Sequence, residues 1–163
     1  MSSENAKKEV GGKGAVREYL TLSIADQMFG IPVLQVQDVM GEQKMTRVPL
    51  APREIAGSLN LRGRIVTAIN MRRRMGLEDL PAGKKYMNIV VEYNGDLYSL
   101  MVDNVGEVVP LSGDDFESNP PTLDPLWRTL SLGIYRLDKK LLIILDVTKL
   151  FEGIGGEGKL AVA

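Results

Sequence analysis

The chain has 163 residues, and its 20 Lys and Arg nearly balance its 21 Asp and Glu, giving a net charge of -1. It therefore lacks the overall basic field by which most nucleic-acid-binding proteins attract phosphates. Cysteine and histidine are both absent, which excludes disulfides, thiol catalysis and the commonest general base and metal ligand. We predict no catalytic, cofactor or metal site, and without an apolar leader or span we predict a cytoplasmic protein with no membrane insertion.

Both ends of the chain are rich in polar residues and glycine, which is typical of mobile tails. We expect an N-terminal tail at residues 1–16, one folded domain of two lobes at residues 17–151, and a C-terminal tail at residues 152–163. A chain of this length with 44% hydrophobic residues supports one well-formed core but is short for two independent domains. The single tryptophan, Trp127, is predicted to pack in that core.

Most of the folded part alternates apolar and polar residues, the pattern of half-buried strands. Leu20, Leu22 and Ile24 show it first, and the segments on either side of Asn94-Gly95 show it again. Asn-Gly is a strong signal for a tight hairpin, because both residues readily adopt positive φ. A second hairpin is predicted with its turn at 138–140, followed by a continuously apolar strand at 141–145 that is buried on both faces.

Helical signals are short in this sequence. Pro52 and Gly57 indicate the start and stop of one helix, NMRRRMG indicates one or two turns ending at Gly76, and Asp146 is placed to cap a terminal turn. The strands are punctuated by Gly and Pro and do not alternate regularly with helices. This pattern predicts an all-β fold of closed antiparallel barrels, with residues 110–125 as the longest irregular segment.

Five arginines surround an apolar run in SLNLRGRIVTAINMRRRMG, and a nucleic-acid site, an enzyme's anion site or a protein-binding surface could use such a cluster. They are Arg62, Arg64, Arg72, Arg73 and Arg74. Single-strand nucleic-acid binders add aromatic stacking platforms, but only 6% of the chain is aromatic and residues 59–80 contain no aromatic residue. Arg72 to Arg74 are predicted to form the solvated face of a short helix whose Met71 and Met75 pack inward.

Arg62 differs from the other arginines, because Gly63 follows it at the entry to a strand and allows a tight turn of the backbone. It could form a buried ion pair, for example with Asp38 or Asp103, or it could project into a partner interface. The residues alone favour neither. Val36, which lies near Asp38, is predicted either as part of the core or as an apolar anchor with a charged rim.

Few residues in this sequence offer enzymatic chemistry. Asp114, Asp115 and Glu117 lie close together in a predicted loop, which is more typical of a solvated turn than of an acid–base pair. No phosphate-binding motif of the GxxxxGK[ST] or GxGxxG kind is present. We therefore predict a non-enzymatic protein.

Four segments resemble the CheW-type coupling proteins of bacterial chemotaxis, and together they span about residues 18–151. The segments are EYLTLSIADQMFGIPVLQVQDVM, TRVPLAPREIAGSLNLRGRIVTAINMRRRMGL, YSLMVDNVGEVVPL and LSLGIYRLDKKLLIILDVTKLF. The second is the most specific, because the family pattern places a glycine shortly before Asn-Leu-Arg-Gly, then an apolar strand, then a short Arg-bearing helix.

The resemblance implies a fold of two five-stranded SH3-like barrels with a hydrophobic groove between them. It also implies a non-enzymatic adaptor without cofactors. Such an adaptor couples the cytoplasmic tips of methyl-accepting chemoreceptors to the regulatory domain of the histidine kinase CheA, and is recruited to membrane-associated receptor arrays. Assembly into rings or arrays is left open, and a nucleic-acid-binding small β-barrel protein is the alternative.

Six positions match family residues that serve in partner binding. They are Val36, Asp38, Gly57, Arg62, Ile65 and Val108. Gly57 matches a glycine whose replacement disturbs the groove, while Ile65 and Val108 would line or flank the apolar surface. The resemblance thus assigns Arg62 to a protein-binding surface and leaves Arg72 to Arg74 peripheral.

Two departures from the family pattern follow the Asn-Leu-Arg-Gly motif. The strand carries Thr67 and Ala68 without the family's proline, and Asn70-Met71 replaces Asp-Leu. The second change removes a carboxylate that could have paired with a neighbouring arginine. Altered partner choice is the expected consequence.

Overall fold

The computed structural model describes residues 14–154, which form two five-stranded sheets and a few short helices. The strands are β1 (Val16–Ile24), β2 (Gln27–Pro32), β3 (Val36–Met40), β4 (Ile55–Leu61), β5 (Arg64–Asn70), β6 (Met87–Tyr93), β7 (Asp96–Val102), β8 (Asn104–Ser112), β9 (Ser131–Leu137) and β10 (Lys140–Leu145). The α-helices are α1 (Met71–Arg74), α2 (Pro125–Thr129) and α3 (Val147–Glu152). Within residues 14–154, no helix has the length and apolar character needed to cross a membrane.

Barrel 2 consists of the consecutive strands β3 to β7, arranged in the order β3-β6-β7-β5-β4. Two antiparallel hairpins, β4–β5 and β6–β7, are joined side by side through a parallel pairing of β5 with β7. The two edges of this sheet meet at an isolated bridge, where Thr46 and Ser58 exchange backbone hydrogen bonds of 2.8 and 2.7 Å. The bridge closes the sheet into a barrel.

Barrel 1 is built from both ends of the described chain, in the order β8-β1-β2-β10-β9. Here the hairpins β1–β2 and β9–β10 are joined by a parallel pairing of β2 with β10. Glu117 and Ile134 form the closing bridge, with backbone hydrogen bonds of 2.9 and 2.8 Å. Barrel 2 is therefore inserted between β2 and β8 of barrel 1. The predicted all-β class with two five-stranded barrels is confirmed, but each barrel contains one parallel pairing and is not purely antiparallel as predicted.

The two barrels share one plan, in which an edge strand is followed by a closing bridge, a hairpin and a short helix. Three positions recur at identical spacing: a glycine before the bridged residue, a turn residue with positive φ, and a helix N-cap. They are Gly57, Arg62 and Asn70 in barrel 2, and Gly133, Asp138 and Asp146 in barrel 1. The predicted N-cap role of Asp146 is confirmed, because its carboxylate accepts a hydrogen bond from the Lys149 amide.

One hydrophobic core runs through both barrels. Phe29 of β2, Leu100 of β7 and Phe151 of α3 belong to the same buried cluster. The ring of Phe151 stacks on Tyr93 with a centroid distance of 4.7 Å, and it lies 4.5 Å from the ring of Tyr98. Because these tyrosines belong to the β6–β7 hairpin, a helix of barrel 1 completes the packing of barrel 2.

Both predicted hairpins and the buried strand are confirmed. The turns at Asn94-Gly95 and at Asp138 join β6 to β7 and β9 to β10, and residues 142–145 of β10 are buried. The helix predicted between Pro52 and Gly57 was wrong, because Pro52 precedes a turn and Gly57 lies inside β4. Gly57 instead adjoins the closing bridge of barrel 2.

Much of each predicted tail, at residues 1–13 and 155–163, lies outside the described residues. Near these ends, β1 begins at Val16 and the side chain of Ile154 is fully buried in the core. Trp127 is half-buried and packs edge-on against Phe29 at a centroid distance of 5.7 Å, in agreement with the core position predicted for it.

Candidate protein-binding site

Arg62 occupies a turn position that its side chain does not favour. It connects β4 to β5 with φ of 52°, followed by Gly63 at 84°, and the Gly63 amide donates a 2.9 Å hydrogen bond to Asn60 Oδ1. Glycine, asparagine and aspartate dominate such turns, because a left-handed backbone costs other L-residues about 1 kcal/mol. The turn alone therefore gives no reason for an arginine at this position.

The guanidinium of Arg62 lies beside Asp38, one of the partners suggested from the sequence. Arg62 Nη2 donates to Asp38 Oδ2 at 3.3 Å, and the other oxygen, Oδ1, accepts from the Val39 amide at 2.8 Å. The Arg62 side chain is 80% exposed, so the pair is a surface contact and not the buried ion pair that was considered. An exposed pair contributes less than about 1 kcal/mol to stability, which leaves the guanidinium accessible to a partner.

Ile65 extends this surface along the same hairpin. Its side chain is 68% exposed, and it lies opposite Asn60 on β4. A hollow beside it is also lined by Met45 and Thr46, which follow β3. A large exposed aliphatic side chain near a charged pair is the composition of an interface anchor with a polar rim.

The other three residues predicted for the site take different positions. Val36 is half-buried and packs against the shared core, which agrees with the core alternative. Gly57 is buried, and a Cβ added there would lie 2.7 Å from the Thr46 carbonyl oxygen. Val108 lies on β8 of barrel 1, 44% exposed and paired with Leu20. The structure thus places Asp38 beside Arg62, with Ile65 on the same β4–β5 hairpin and Val108 on the other barrel.

The prediction that Arg72 to Arg74 form a solvated, peripheral face was wrong. Arg72 donates to both oxygens of Asp103 at 2.8 and 2.7 Å, and Arg73 does the same to Asp79 at 2.9 and 2.8 Å. Both arginines are thus paired with carboxylates although position 70 carries none. Asn70 itself caps α1 by accepting a hydrogen bond from the Arg73 amide. Its side-chain NH2 group donates a hydrogen bond to Asp79 Oδ1 at 3.3 Å.

Arg74 is the residue whose role was least expected from the sequence. It is only 8% exposed, and its guanidinium donates to the Leu150 and Lys149 carbonyl oxygens at 2.8 and 3.2 Å. Burial lowers the pKa of Arg74. Carbonyls of the last turn of α3 attract a cation, so Arg74 caps a helix of barrel 1 from a helix of barrel 2.

A signal for Arg74 was present in the sequence. Met71 and Met75 are buried, as predicted, and Arg74 lies on the same helical face at the i+3 position from Met71. Gly153 completes the site, because a Cβ there would overlap the Arg74 guanidinium.

Asp103 links the turn of the β1–β2 hairpin to α1. Burial alone would raise the pKa of its carboxyl, but hydrogen bonds from Arg72 and from the Ala25 amide outweigh burial and hold that pKa below its ordinary value. A carboxyl with a lowered folded-state pKa contributes stability above about pH 4, its unfolded pKa, and loses it as pH falls through the folded value.

Replacement of Asp103 by asparagine is therefore expected to lower the free energy of unfolding at pH 7 by about 2 kcal/mol, because Arg72 loses a charged partner. The deficit should shrink as pH falls below about 4, because protons then bind the carboxyl of the unfolded chain first and that of the folded protein only at lower pH. Urea unfolding of both proteins between pH 7 and pH 2 measures this difference. A deficit that stays constant over that range contradicts the assigned role of the carboxylate.

Two of the three loop carboxylates considered for catalysis have structural contacts. Asp114 accepts a hydrogen bond from the Gly14 amide at 2.8 Å, and Glu117 pairs with Arg136 at 3.0 Å on an exposed face. Within residues 14–154, no group of three or more histidine, cysteine or acidic residues could hold a metal ion.

Comparison with known proteins agrees with this architecture. The model of the CheW-like domain matches residues 18–154. Chemotaxis protein CheW of Klebsiella aerogenes is 27% identical over 144 residues, which cover 88% of this chain and 87% of that protein. Protein PilI of Pseudomonas aeruginosa is 25% identical over 117 residues, which cover 72% of this chain and 66% of that protein.

A solved structure extends the agreement to three dimensions. The crystal structure of the scaffolding protein TtCheW from Thermoanaerobacter tengcongensis matches with a TM-score of 0.78 at 30% sequence identity. The match covers 90% of this chain and 99% of that chain. Because the family model spans nearly all of the described residues and the two-barrel fold is shared, this protein belongs to the CheW-like domain family.

Proposed function

We propose that the protein is a non-enzymatic chemotaxis adaptor that acts in the cytoplasm. It binds the regulatory domain of a chemotaxis histidine kinase and the cytoplasmic tips of methyl-accepting chemoreceptors, and it lets the receptors control the kinase. The match to the CheW-like domain over residues 18–154 supports this proposal, as do the names of the relatives, which include chemotaxis and scaffolding proteins.

The observation that carries the proposal is the exposed arginine at the turn between β4 and β5. Arg62 is held in a conformation unfavourable for its type, stays 80% exposed, and has Asp38 beside it and the exposed Ile65 on the same hairpin. The exposed pair with Asp38 contributes less than about 1 kcal/mol, which does not exceed the cost of the left-handed turn. An apolar anchor with charged neighbours is the kind of surface that recognises a protein partner, because the charges set specificity while the anchor adds affinity.

The internal contacts of the other arginines favour a protein partner over a nucleic acid. Arg72, Arg73 and Arg74 are all held by groups of this chain, so they do not form a free basic stripe with Arg62 and Arg64. A groove that follows a phosphate backbone needs several such free cations.

Signal coupling requires more than tethering, because a signal exists only if the adaptor makes different contacts in the two states of the receptor. Some substitutions should therefore leave assembly intact and abolish control of the kinase. The surface around Arg62 is the first place to look for them.

Replacement of Arg62 by alanine is expected to weaken binding to the receptor or the kinase about tenfold, which corresponds to about 1.4 kcal/mol, or to preserve binding and abolish receptor control. The measurement is co-sedimentation of the purified protein with receptor signalling tips and kinase, with kinase phosphorylation followed in the same samples.

Arg136→Ala is the matched control for this experiment. Arg136 is also exposed, also pairs with one carboxylate, and lies at the equivalent region of the barrel 1 hairpin. Its replacement should change neither binding nor kinase control. Equal losses in both variants would remove the special role of Arg62, and an absence of wild-type binding to receptor and kinase would refute the adaptor proposal.

A further inference from the structure

The loop between β3 and β4 contains a strained turn with an apolar side chain at its tip. The Ala51 amide donates to the Val48 carbonyl at 3.4 Å, Pro49 takes the second position of the turn, and Leu50 takes the third with φ of 61°. Proline followed by a residue of positive φ is the arrangement of a type II turn. Glycine or asparagine normally takes the third position, so the turn does not explain the leucine.

Leu50 also gains nothing from packing. It is 103% exposed, the highest exposure among the large hydrophobic residues in the described part of the chain. A bulky residue in a left-handed conformation is a backbone outlier, and strain of this kind tends to persist where a function needs it. Backbone preference and burial both oppose leucine here, so nothing within residues 14–154 explains the choice of this side chain.

The surroundings of Leu50 indicate the chemistry of that contact. Leu50 borders a groove of about 590 Å³ whose apolar lining includes Val48, Ala51 and Pro52, and Arg47 and Arg53 also line it. No carboxylate is among the described lining residues. Neither arginine has a salt bridge in the described part of the chain, although Arg53 lies near enough to Asp79 to contribute to the lowering of its pKa, after Arg73.

We propose that this groove is a docking site for an acidic segment of a partner protein, with an apolar side chain of the segment packed against Leu50. Carboxylates of the segment would pair with Arg47 and Arg53, whose charges are not neutralised within the groove. Charge complementarity around an apolar contact is what distinguishes such a site from a plain hydrophobic patch.

Other classes of ligand fit the groove less well. Attraction to an anionic membrane typically uses clusters of four to eight basic residues, whereas three arginines line this groove and one of them, Arg73, is already paired with Asp79. No aromatic ring lines it either, so it offers no platform for stacking a nucleic-acid base. The proposal is independent of the adaptor function, and the groove does not include Arg62.

The test uses a fluorescein-labelled peptide with glutamates and leucines at helical spacing, alongside a version with glutamine in place of each glutamate. Fluorescence polarisation should show saturable binding of the acidic peptide to the full-length protein and weaker binding of the neutral one. Leu50→Gly should raise the Kd at least tenfold while the melting temperature stays equal to or above that of the wild type, because glycine suits the turn. The double variant Arg47→Gln with Arg53→Gln should weaken binding by a similar factor.

Arg64→Gln is the control, since Arg64 is exposed on the β4–β5 hairpin and does not line the groove. It should bind the acidic peptide as the wild type does. The proposal is overturned if the acidic peptide does not bind, if Leu50→Gly binds it with unchanged affinity, or if vesicles of anionic phospholipid bind in its place and lose binding with the same variants.

Discussion

Replacement of Gly57 by alanine is expected to lower the free energy of unfolding by about 3 kcal/mol, because the new methyl group has no room and the backbone is unfavourable for it. Its Cβ would lie 2.7 Å from the Thr46 carbonyl oxygen, a backbone atom held in the bridge that closes barrel 2. Relief requires opening that bridge. Gly133 stands at the equivalent place in barrel 1, where a Cβ would lie 2.6 Å from the Glu117 carbonyl oxygen, so Gly133→Ala should cause a loss of similar size.

Chemical denaturation with urea measures both losses, and Gly41→Ala provides the control. Gly41 has open space around its Cβ position and no positive φ, so alanine there should change stability by less than about 0.5 kcal/mol. If Gly57→Ala keeps wild-type stability but loses partner binding, Gly57 acts directly at the partner surface. If stability falls in both barrels alike, the effect on any partner is indirect and follows from opening the closing bridge.

Replacement of Arg74 by methionine is the second change with a large expected effect, a loss of about 2 kcal/mol of stability. Methionine keeps most of the length of the side chain but leaves the Leu150 and Lys149 carbonyl oxygens without their donor. Removing a buried charge recovers some desolvation free energy, which keeps the net loss below that of two full hydrogen bonds to a cation.

Thermal and urea unfolding of Arg74→Met should be compared with Arg64→Met, whose exposed side chain makes that change nearly neutral. Gly153→Ala should reproduce the loss of Arg74→Met, because its methyl group would displace the same guanidinium. Equal stability of Arg74→Met and Arg64→Met would show that the cap on α3 contributes little.

The hairpins were predictable because their signals are local. Alternating apolar residues and a turn residue tolerant of positive φ, such as Asn94 or Asp138, are enough to join two neighbouring strands. The parallel pairings of β2 with β10 and of β5 with β7 were not predictable in this way. They join segments distant in sequence, and no local pattern encodes which distant strand becomes a neighbour.

The helix was wrongly assigned at Pro52 and Gly57 because the local sequence does not reveal contacts with distant segments. Glycine and proline indicate an unusual backbone conformation or a close approach of two segments. The sequence does not show whether a glycine ends a helix or makes room for a neighbouring segment. Gly57 does the second, and its neighbour Thr46 is separated from it by a loop.

The candidate site was partly predictable for a related reason. The sequence suggested Asp38 and Asp103 as possible partners of Arg62, and only the tertiary structure shows that Asp38 is beside it while Asp103 binds Arg72. The role of Arg74 required knowing that α1 meets α3, a contact between helices in different barrels. Leu50 could have been noticed only by recognising its turn type, since an exposed leucine is otherwise ordinary.

The insertion of barrel 2 into barrel 1 has a consequence for synthesis on the ribosome. All strands of barrel 2 lie within residues 36–102, so their pairings and the closing bridge can form before β8 to β10 have been made, while Phe151 of α3 completes the packing later. The β1–β2 hairpin, with its apolar Phe29 and Ile31, must wait for the last third of the chain to provide its neighbours. Completion of barrel 1 is thus a late folding step, and a nascent chain that stalls before β10 leaves aggregation-prone strand edges uncovered.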